Sequence, residues 1–96
     1  MKISLSKLAN EQKKALIREF PGLRRHFSEL EKAIETNPED GNKEFVLTRT
    51  GRYMPVRTIG AVTEIFGGMA SYSKELVAVY LCSEDFSLGR VVQYLF

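Results

Sequence analysis

Residues 76–82, Leu-Val-Ala-Val-Tyr-Leu-Cys, are the longest uninterrupted apolar run of the sequence. The run is bounded by the polar residues Glu75 and Ser83. A short apolar run between polar boundaries is typical of a strand inside a sheet. It predicts a central strand with both faces covered, or with one face covered and the other forming a groove.

Strand signals lie on both sides of this run, in segments rich in β-branched and aromatic residues. These segments are Phe45–Thr48, Arg52–Phe66 and Val91–Phe96. The breaks between them are Thr50-Gly51, Gly67-Gly68 and Ser83–Asp85. Pro55 cannot donate a ladder hydrogen bond, so we expect an edge or bulge position there, and Gly60 indicates a second bulge. The short connections predict an antiparallel meander of three to four strands.

The first part of the chain changes from a period of two to a helical period. Met1–Ser6 alternates strictly and predicts a short strand. Residues 7–20 and 23–36 carry apolar positions three and four apart, and each segment ends at a proline, in Pro21-Gly22 and Asn37-Pro38. The sequence therefore predicts an α+β fold of two layers: a short N-terminal strand, a helix pair, then the meander.

Length and composition describe one small domain. The 96 residues carry 14 basic and 12 acidic side chains, a net charge of +2, and 44% of the residues are hydrophobic. These values exclude a disordered tail and a strongly acidic partner mimic. No apolar run reaches the 18 or so residues of a membrane span, and we see no signal peptide, so we expect a cytoplasmic protein without membrane contact.

The charges are unevenly placed, since residues 45–63 contain arginines and no acid. Arg49, Tyr53 and Arg57 have the same parity, so on a regular strand they point to one face. Guanidinium groups pair with phosphates and tyrosine stacks on bases, which makes these residues, with Arg52, a candidate anion or RNA site. The alternative is that they are solvated strand residues paired with nearby acids.

The two helices carry a second basic face, which is a candidate for contact with a phosphate backbone or an acidic peptide, or is simply solvated. Its members are Lys13, Lys14, Arg18, Arg24 and Arg25. His26 is the only histidine and Cys82 the only cysteine, so no spacing for a metal site exists, and we expect no metal and no cofactor. We interpret His26 as a partly exposed helix residue and Cys82 as a buried thiol.

Two helices cover only one face of such a sheet, yet the strands hold more apolar residues than one face needs. The surplus comes from Phe45, Leu47, Val77, Val79, Leu81, Val92 and Phe96. This surplus predicts a homodimer or a protein partner that lays an apolar segment on the sheet. Under this hypothesis the chain is a non-catalytic interaction module.

The order of elements resembles the RelE/ParE superfamily of bacterial toxins. The Asn-Pro at 37–38 follows the second helix as it often does in that family, and the segment Arg52–Phe66 is similar to its Gly-x-Tyr-Arg-x-x-Tyr-like strand, with Gly60, Ile65 and Phe66 in register. Val62 and Thr63 stand where members often have an aromatic residue and an arginine.

The resemblance implies a cytoplasmic toxin that an antitoxin peptide neutralises. RelE-like members cut mRNA on the ribosome without metal, by attack of the 2′-hydroxyl on the adjacent phosphate. By this resemblance the catalytic residues are Arg49, Tyr53, Arg57 and Tyr94, and RNA-binding support comes from Lys43 and Arg90. Taken by itself, Tyr94 on the last strand either reaches a site on the open sheet face or packs in the core. ParE-like members bind gyrase instead.

Overall fold

The computed structural model describes the backbone of residues 1–67 and 70–96 and the side chains of residues 1–64 and 73–96. Its elements follow in chain order. They are β1 (Lys2–Leu5), α1 (Lys7–Glu19), α2 (Leu23–Thr36), a 3₁₀ turn (Pro38–Asp40), β2 (Asn42–Leu47), β3 (Tyr53–Gly67), β4 (Ala70–Cys82) and β5 (Leu88–Leu95). The predicted α+β fold, with a short first strand and a helix pair ahead of the remaining strands, is confirmed.

The strands form one sheet in the order β1-β5-β4-β3-β2. Strands β2 to β5 are an antiparallel meander, as expected. The first strand lies parallel to β5 at the sheet edge, with Ile3 opposite Gly89, so the sheet is mixed. The apolar run at 76–82 belongs to β4, which has neighbours on both sides.

The helix boundaries follow local chemistry. Ser6 caps α1, since its Oγ accepts a hydrogen bond from the Ala9 amide at 3.0 Å. The helix ends immediately before Phe20 and Pro21, because proline disfavours helical geometry in the residue that precedes it. The second helix stops in the same way at Asn37, one residue before Pro38.

The core lies between the helix pair and one face of the sheet. Leu23, Phe27, Leu30 and Ile34 form the buried stripe of α2, and they pack in one cluster with side chains of β4 and β5. The sheet contributes Leu76, Ala78, Tyr80, Val91 and Tyr94. Because β4 alternates, Leu76, Ala78 and Tyr80 share the face toward the helices.

Two expectations about the strands need correction or limits. Gly60 lies in a regular part of the β3–β4 ladder, opposite Val77, and carries no bulge. Its role is close approach, because a Cβ there would lie 2.9 Å from the Glu75 carboxyl carbon. The bulge of the sheet lies instead between β4 and β5, at Val79 and Tyr80. The predicted break at Gly67-Gly68 is only partly visible: β3 ends at Gly67, and Gly68 lies outside the described residues.

Pro55 has the edge position that its missing N–H predicts. It pairs with Phe45 of β2, whereas the β3–β4 ladder begins only at Arg57, opposite Tyr80. The side of β3 that would require an N–H donor at residue 55 is therefore not paired with β4.

Candidate nucleic-acid interface

One face of the β2–β3 hairpin carries two cations at one end and exposed aromatic and apolar side chains along the rest of the strands. The directly opposite pairs on this face are Lys43 with Arg57, Phe45 with Pro55, and Leu47 with Tyr53. Phe45, Leu47 and Tyr53 are 69%, 63% and 71% exposed. These side chains are called the hairpin face below. Because Arg57 is also opposite Tyr80, the hairpin face continues the surface that the helices cover farther along the sheet.

The charge on this face is uniformly positive. Lys43 and Arg57 lie at one end, and the turn that joins the strands carries Arg49 and Arg52 at the other. The neighbouring acid, Glu44, belongs to the opposite face of β2, because side chains alternate along a strand. Among the described side chains, no carboxylate lies within 4.0 Å of any of these four cations, so none of the four forms an ion pair there.

Arg57 is held in place by backbone carbonyls and an aromatic ring. Its Nη1 donates to the carbonyl oxygens of Glu39 at 2.7 Å and Gly41 at 3.3 Å. The guanidinium carbon lies 5.4 Å from the centroid of the Phe86 ring, a distance typical of a cation–π contact. This fixed guanidinium loses little conformational entropy when it binds an anion.

The carbonyls that hold Arg57 are themselves positioned by a buried tyrosine. The hydroxyl of Tyr80 donates to the Pro38 carbonyl oxygen at 2.8 Å. Burial raises the pKa of Tyr80, so the phenol stays protonated and remains a donor. The 3₁₀ turn is thereby tied to the centre of the sheet, and it presents Glu39 and Gly41 to Arg57.

A cleft of about 430 Å³ opens beside the hairpin face. It lies where β3 and β4 stop pairing, beyond Arg57 and Tyr80. Since the cleft opens between two strands, side chains of both parities line it. They are Lys43, Glu44, Phe45, Pro55, Val56, Arg57, Tyr80, Leu81, Cys82, Ser83, Glu84 and Phe86. Cys82 is only partly buried, and this burial raises the pKa of its thiol, so it remains a neutral part of the wall.

The four residues expected to be catalytic are not brought together. Tyr53 and Arg57 share the hairpin face, separated by about 13 Å along the strand at 3.3 Å per residue. Arg49 lies in the turn after β2 and not on a strand, so the expected shared parity does not apply to it. Tyr94 is 2% exposed and does not reach this surface.

Tyr94 is a core residue. Its ring packs edge-on against Phe27 with centroids 4.7 Å apart. Its hydroxyl has no hydrogen-bond partner among the described residues. Burial, and secondarily the nearby Glu31 carboxylate, raise the pKa of Tyr94 above its usual range. A buried phenol that keeps its proton cannot serve as an acid–base group for a bound RNA.

The remaining cations predicted to bind nucleic acid are dispersed. Lys13 is engaged by both carboxylate oxygens of Glu31 at 2.9 Å, and Arg25 pairs with Glu29 at 3.6 Å. Arg90 is exposed on β5 opposite Leu81, on the face away from the helices. The others are exposed on the helices: Lys14, Arg18 and Arg24. Of the predicted RNA-binding group, only Lys43 and Arg52 lie on the hairpin.

Two aromatic residues of this surface are not among the site residues that the sequence predicts. Phe45 belongs to the apolar surplus described above, although the sequence already shows that it has the same parity as Lys43. Phe86 lies in the turn between β4 and β5. Its φ of 56°, which is in the left-handed region, is not signalled by any glycine or asparagine at that position.

Comparison with protein-family models, with curated proteins and with solved structures finds no match for this chain. In the part of the chain that the structure describes, no three His, Cys, Asp or Glu side chains converge as metal ligands. No helix in that part has both the length and the apolar character needed to cross a bilayer.

Proposed function

We propose that this chain is a small RNA-binding protein similar to the RelE/ParE toxins. We further propose that its hairpin face binds single-stranded RNA. The observation that carries the proposal is that two exposed aromatic rings lie on one uncovered sheet face, between cations that form no ion pair with the described side chains. Soluble domains bury most of their aromatic area, so two neighbouring rings that are about 70% exposed call for a functional reason.

The geometry suits an unpaired strand. Phe45 and Tyr53 are diagonal neighbours, because Tyr53 is opposite Leu47 and Phe45 is opposite Pro55. Diagonal positions on an antiparallel pair lie about 7–8 Å apart, a separation that lets each ring stack on its own base. The cations at the two ends of the face then lie beside the phosphates of the bound strand.

Binding, and not cleavage, is the activity we propose. The cleavage implied by the RelE/ParE resemblance needs groups that move protons near the reacting phosphate. Of the two tyrosines considered for that role, Tyr94 is in the core and only Tyr53 is on the hairpin face. Arg57 could stabilise charge on a phosphate, but one exposed phenol beside it is not an acid–base pair.

The test is fluorescence anisotropy with a labelled, unstructured RNA of about ten nucleotides at several salt concentrations. Phe45→Ala or Tyr53→Ala should weaken binding by about 5- to 150-fold, since stacking contributes about 1–3 kcal/mol per base. Val62→Ala is the matched control, because Val62 is equally exposed, at 68%, but lies outside this face. No measurable affinity for RNA, or equal loss in the control, would contradict the proposal.

Lysine variants separate the phosphate contacts from stacking. Lys43→Ala should reduce the slope of log affinity against log salt by about 0.7 per lost phosphate contact on a single strand. Lys14→Ala removes an equally exposed charge from α1 and should leave that slope unchanged. A slope that falls equally in both variants would indicate a diffuse electrostatic attraction and not a site.

A second function is favoured by the edge of the sheet. β2 is the last strand, so its outer backbone groups are unpaired by the sheet, and Phe45 and Leu47 add exposed apolar area beside it. Such an edge can accept a strand from a second copy or from a partner peptide. Leu47→Ser discriminates: it should abolish a dimer seen by sedimentation velocity, but it should leave RNA affinity within about twofold, because leucine has no ring to stack.

A further inference from the structure

The cleft between β3 and β4 opens where the hydrogen-bonded pairing of these two strands stops. The two strands pair regularly as far as Arg57 and Tyr80, and the next residue of β3 with the same parity is Pro55, which has no N–H to continue the ladder. Beyond this point β3 pairs only with β2, through Pro55 and Phe45. The resulting volume of about 430 Å³ lies in the range of small-molecule sites.

We propose that this cleft binds one guanine nucleotide as its monophosphate, either free or as a unit of the RNA strand. The proposal rests on the RNA binding proposed above and assigns the base preference of the same surface. The phosphate is placed at Lys43 and Arg57, the base against Phe45 and Phe86, and the base edge toward Glu84.

The phosphate end follows from the hydrogen bonds of Arg57. Both contacts to carbonyl oxygens are made by Nη1, which leaves the Nε and Nη2 hydrogens without a partner among the described residues. These hydrogens form the planar fork that matches two phosphate oxygens. Lys43 lies directly opposite Arg57 on β2 and adds a second positive charge at the same end.

The walls of the cleft suit a planar base. Phe45 and Pro55 come from the hairpin, Val56 and Leu81 come from the diverging strands, and Phe86 comes from the β4–β5 turn. Phe86 already carries the Arg57 guanidinium near its ring. An aromatic ring next to a fixed guanidinium is the combination that binds a base and its phosphate together.

The choice of guanine follows from the carboxylates. Glu44 and Glu84 both line the cleft, and an ionised carboxylate only accepts hydrogen bonds. Guanine presents two donors side by side, N1–H and N2–H, whereas uracil and adenine do not present such a pair to one carboxylate. The two acids also repel additional phosphates, which favours a monophosphate over a diphosphate or triphosphate.

The experiment is a titration of the whole chain, by calorimetry and by amide chemical shifts, with GMP, AMP, UMP, CMP, guanosine and inorganic phosphate. GMP should bind about tenfold more tightly than AMP or UMP. Glu84→Gln should remove most of that preference, and Glu11→Gln, an exposed acid on α1, should not. Lys43→Ala should lower the affinity for GMP and leave the affinity for guanosine unchanged.

The different ligands and variants distinguish binding of the free nucleotide from binding of a guanine within RNA. They also test the cleft proposal separately from the proposal that the hairpin face binds RNA. A guanine-containing RNA that binds while GMP does not would overturn a site for the free nucleotide, and a preference for that RNA over an adenine RNA that survives Glu84→Gln would overturn the base assignment. Tyr53→Ala should lower the affinity for RNA but not the affinity for GMP, because Tyr53 lies on the hairpin face and does not line the cleft. Inorganic phosphate that binds as tightly as GMP would reduce the cleft to an anion contact and overturn the proposal.

Discussion

Replacing Gly41 with alanine is expected to destabilise the fold and to loosen Arg57 at the same time. Gly41 has φ −64° and ψ 145°, a conformation open to any residue, so backbone strain plays no part. A Cβ at this position would instead overlap the Tyr80 hydroxyl and lie 2.8 Å from Cζ of that ring and 3.1 Å from Cβ of Arg57. Tyr80 is fully buried, so it cannot swing aside freely.

The magnitude follows from three effects. Displacing Tyr80 breaks its hydrogen bond to the Pro38 carbonyl and leaves a buried acceptor unpaired, which costs about 1–3 kcal/mol. Overpacking of a filled core costs a further 1–3 kcal/mol or so. Alanine returns about 0.4–1 kcal/mol by restricting the unfolded chain. The net loss in the free energy of unfolding should be about 3 kcal/mol.

Urea denaturation followed by circular dichroism measures this loss. Gly22→Ala is the matched control, because a Cβ there has no atom within 4 Å, and its free energy of unfolding should not fall and should rise by at most about 1 kcal/mol. Tyr80→Phe removes the oxygen that collides with the new methyl group. The double variant should therefore be more stable than the sum of the two single losses, with a coupling of about 1 kcal/mol. Strict additivity, or a Gly41→Ala protein as stable as the parent, would refute the steric account.

Three further predictions concern the cap, the buried tyrosine and the β4–β5 turn. Ser6→Ala should cost about 1–2 kcal/mol of unfolding free energy, because the Ser6 hydroxyl both accepts from the Ala9 amide at 3.0 Å and donates to the Val92 carbonyl at 2.9 Å; an unchanged urea midpoint would contradict this. The pKa of Tyr94 is raised in the folded chain, so as the pH increases the unfolded chain loses its phenol proton before the folded chain does. The free energy of unfolding is therefore unaffected by this group below about pH 10 and falls as the pH rises further. Tyr94→Phe should flatten that fall between about pH 10 and 12, and an unaltered pH profile of the urea midpoint would argue against it. Hydrogen bonds from Ser87 and Ser83 lower the pKa of Asp85 to about 2; NMR titration should place the carboxyl midpoint there, and a midpoint near 3.8 would show that the turn does not hold the carboxylate.

The elements of the fold could be predicted because local signals decide them. Pro21 and Pro38 end both helices by backbone chemistry that needs no tertiary context. The glycine in Thr50-Gly51 has φ 77°, as a tight hairpin requires. The mixed sheet could not be predicted, because the parallel pairing of β1 with β5 joins segments at opposite ends of the numbering and leaves no local trace.

The candidate site could be predicted only in part, for reasons of register. Arg49 does not share a strand face with Tyr53 and Arg57, because it lies in the turn. The turn begins at Thr48, whose amide donates to the Arg52 carbonyl at 2.7 Å. Of the two positions predicted for Tyr94, the structure shows the one in the core, and the bulge explains why: Val79 pairs with Gln93 while Tyr80 pairs with Val91. One extra residue on β5 puts Tyr94 on the same face as Val91. A bulge of this kind depends on packing across the sheet, which no local pattern encodes.

The parallel pairing of β1 with β5 also constrains the order in which a nascent chain can mature. The hydroxyl of Ser6 reaches the carbonyl of Val92 across 86 positions, so this contact must wait until residue 92 has been synthesised. Until then the helix pair has emerged without β5, the strand against which α1 packs. We therefore expect productive folding on the ribosome to begin only when β5 is released, with the early segments open to chaperones during that interval.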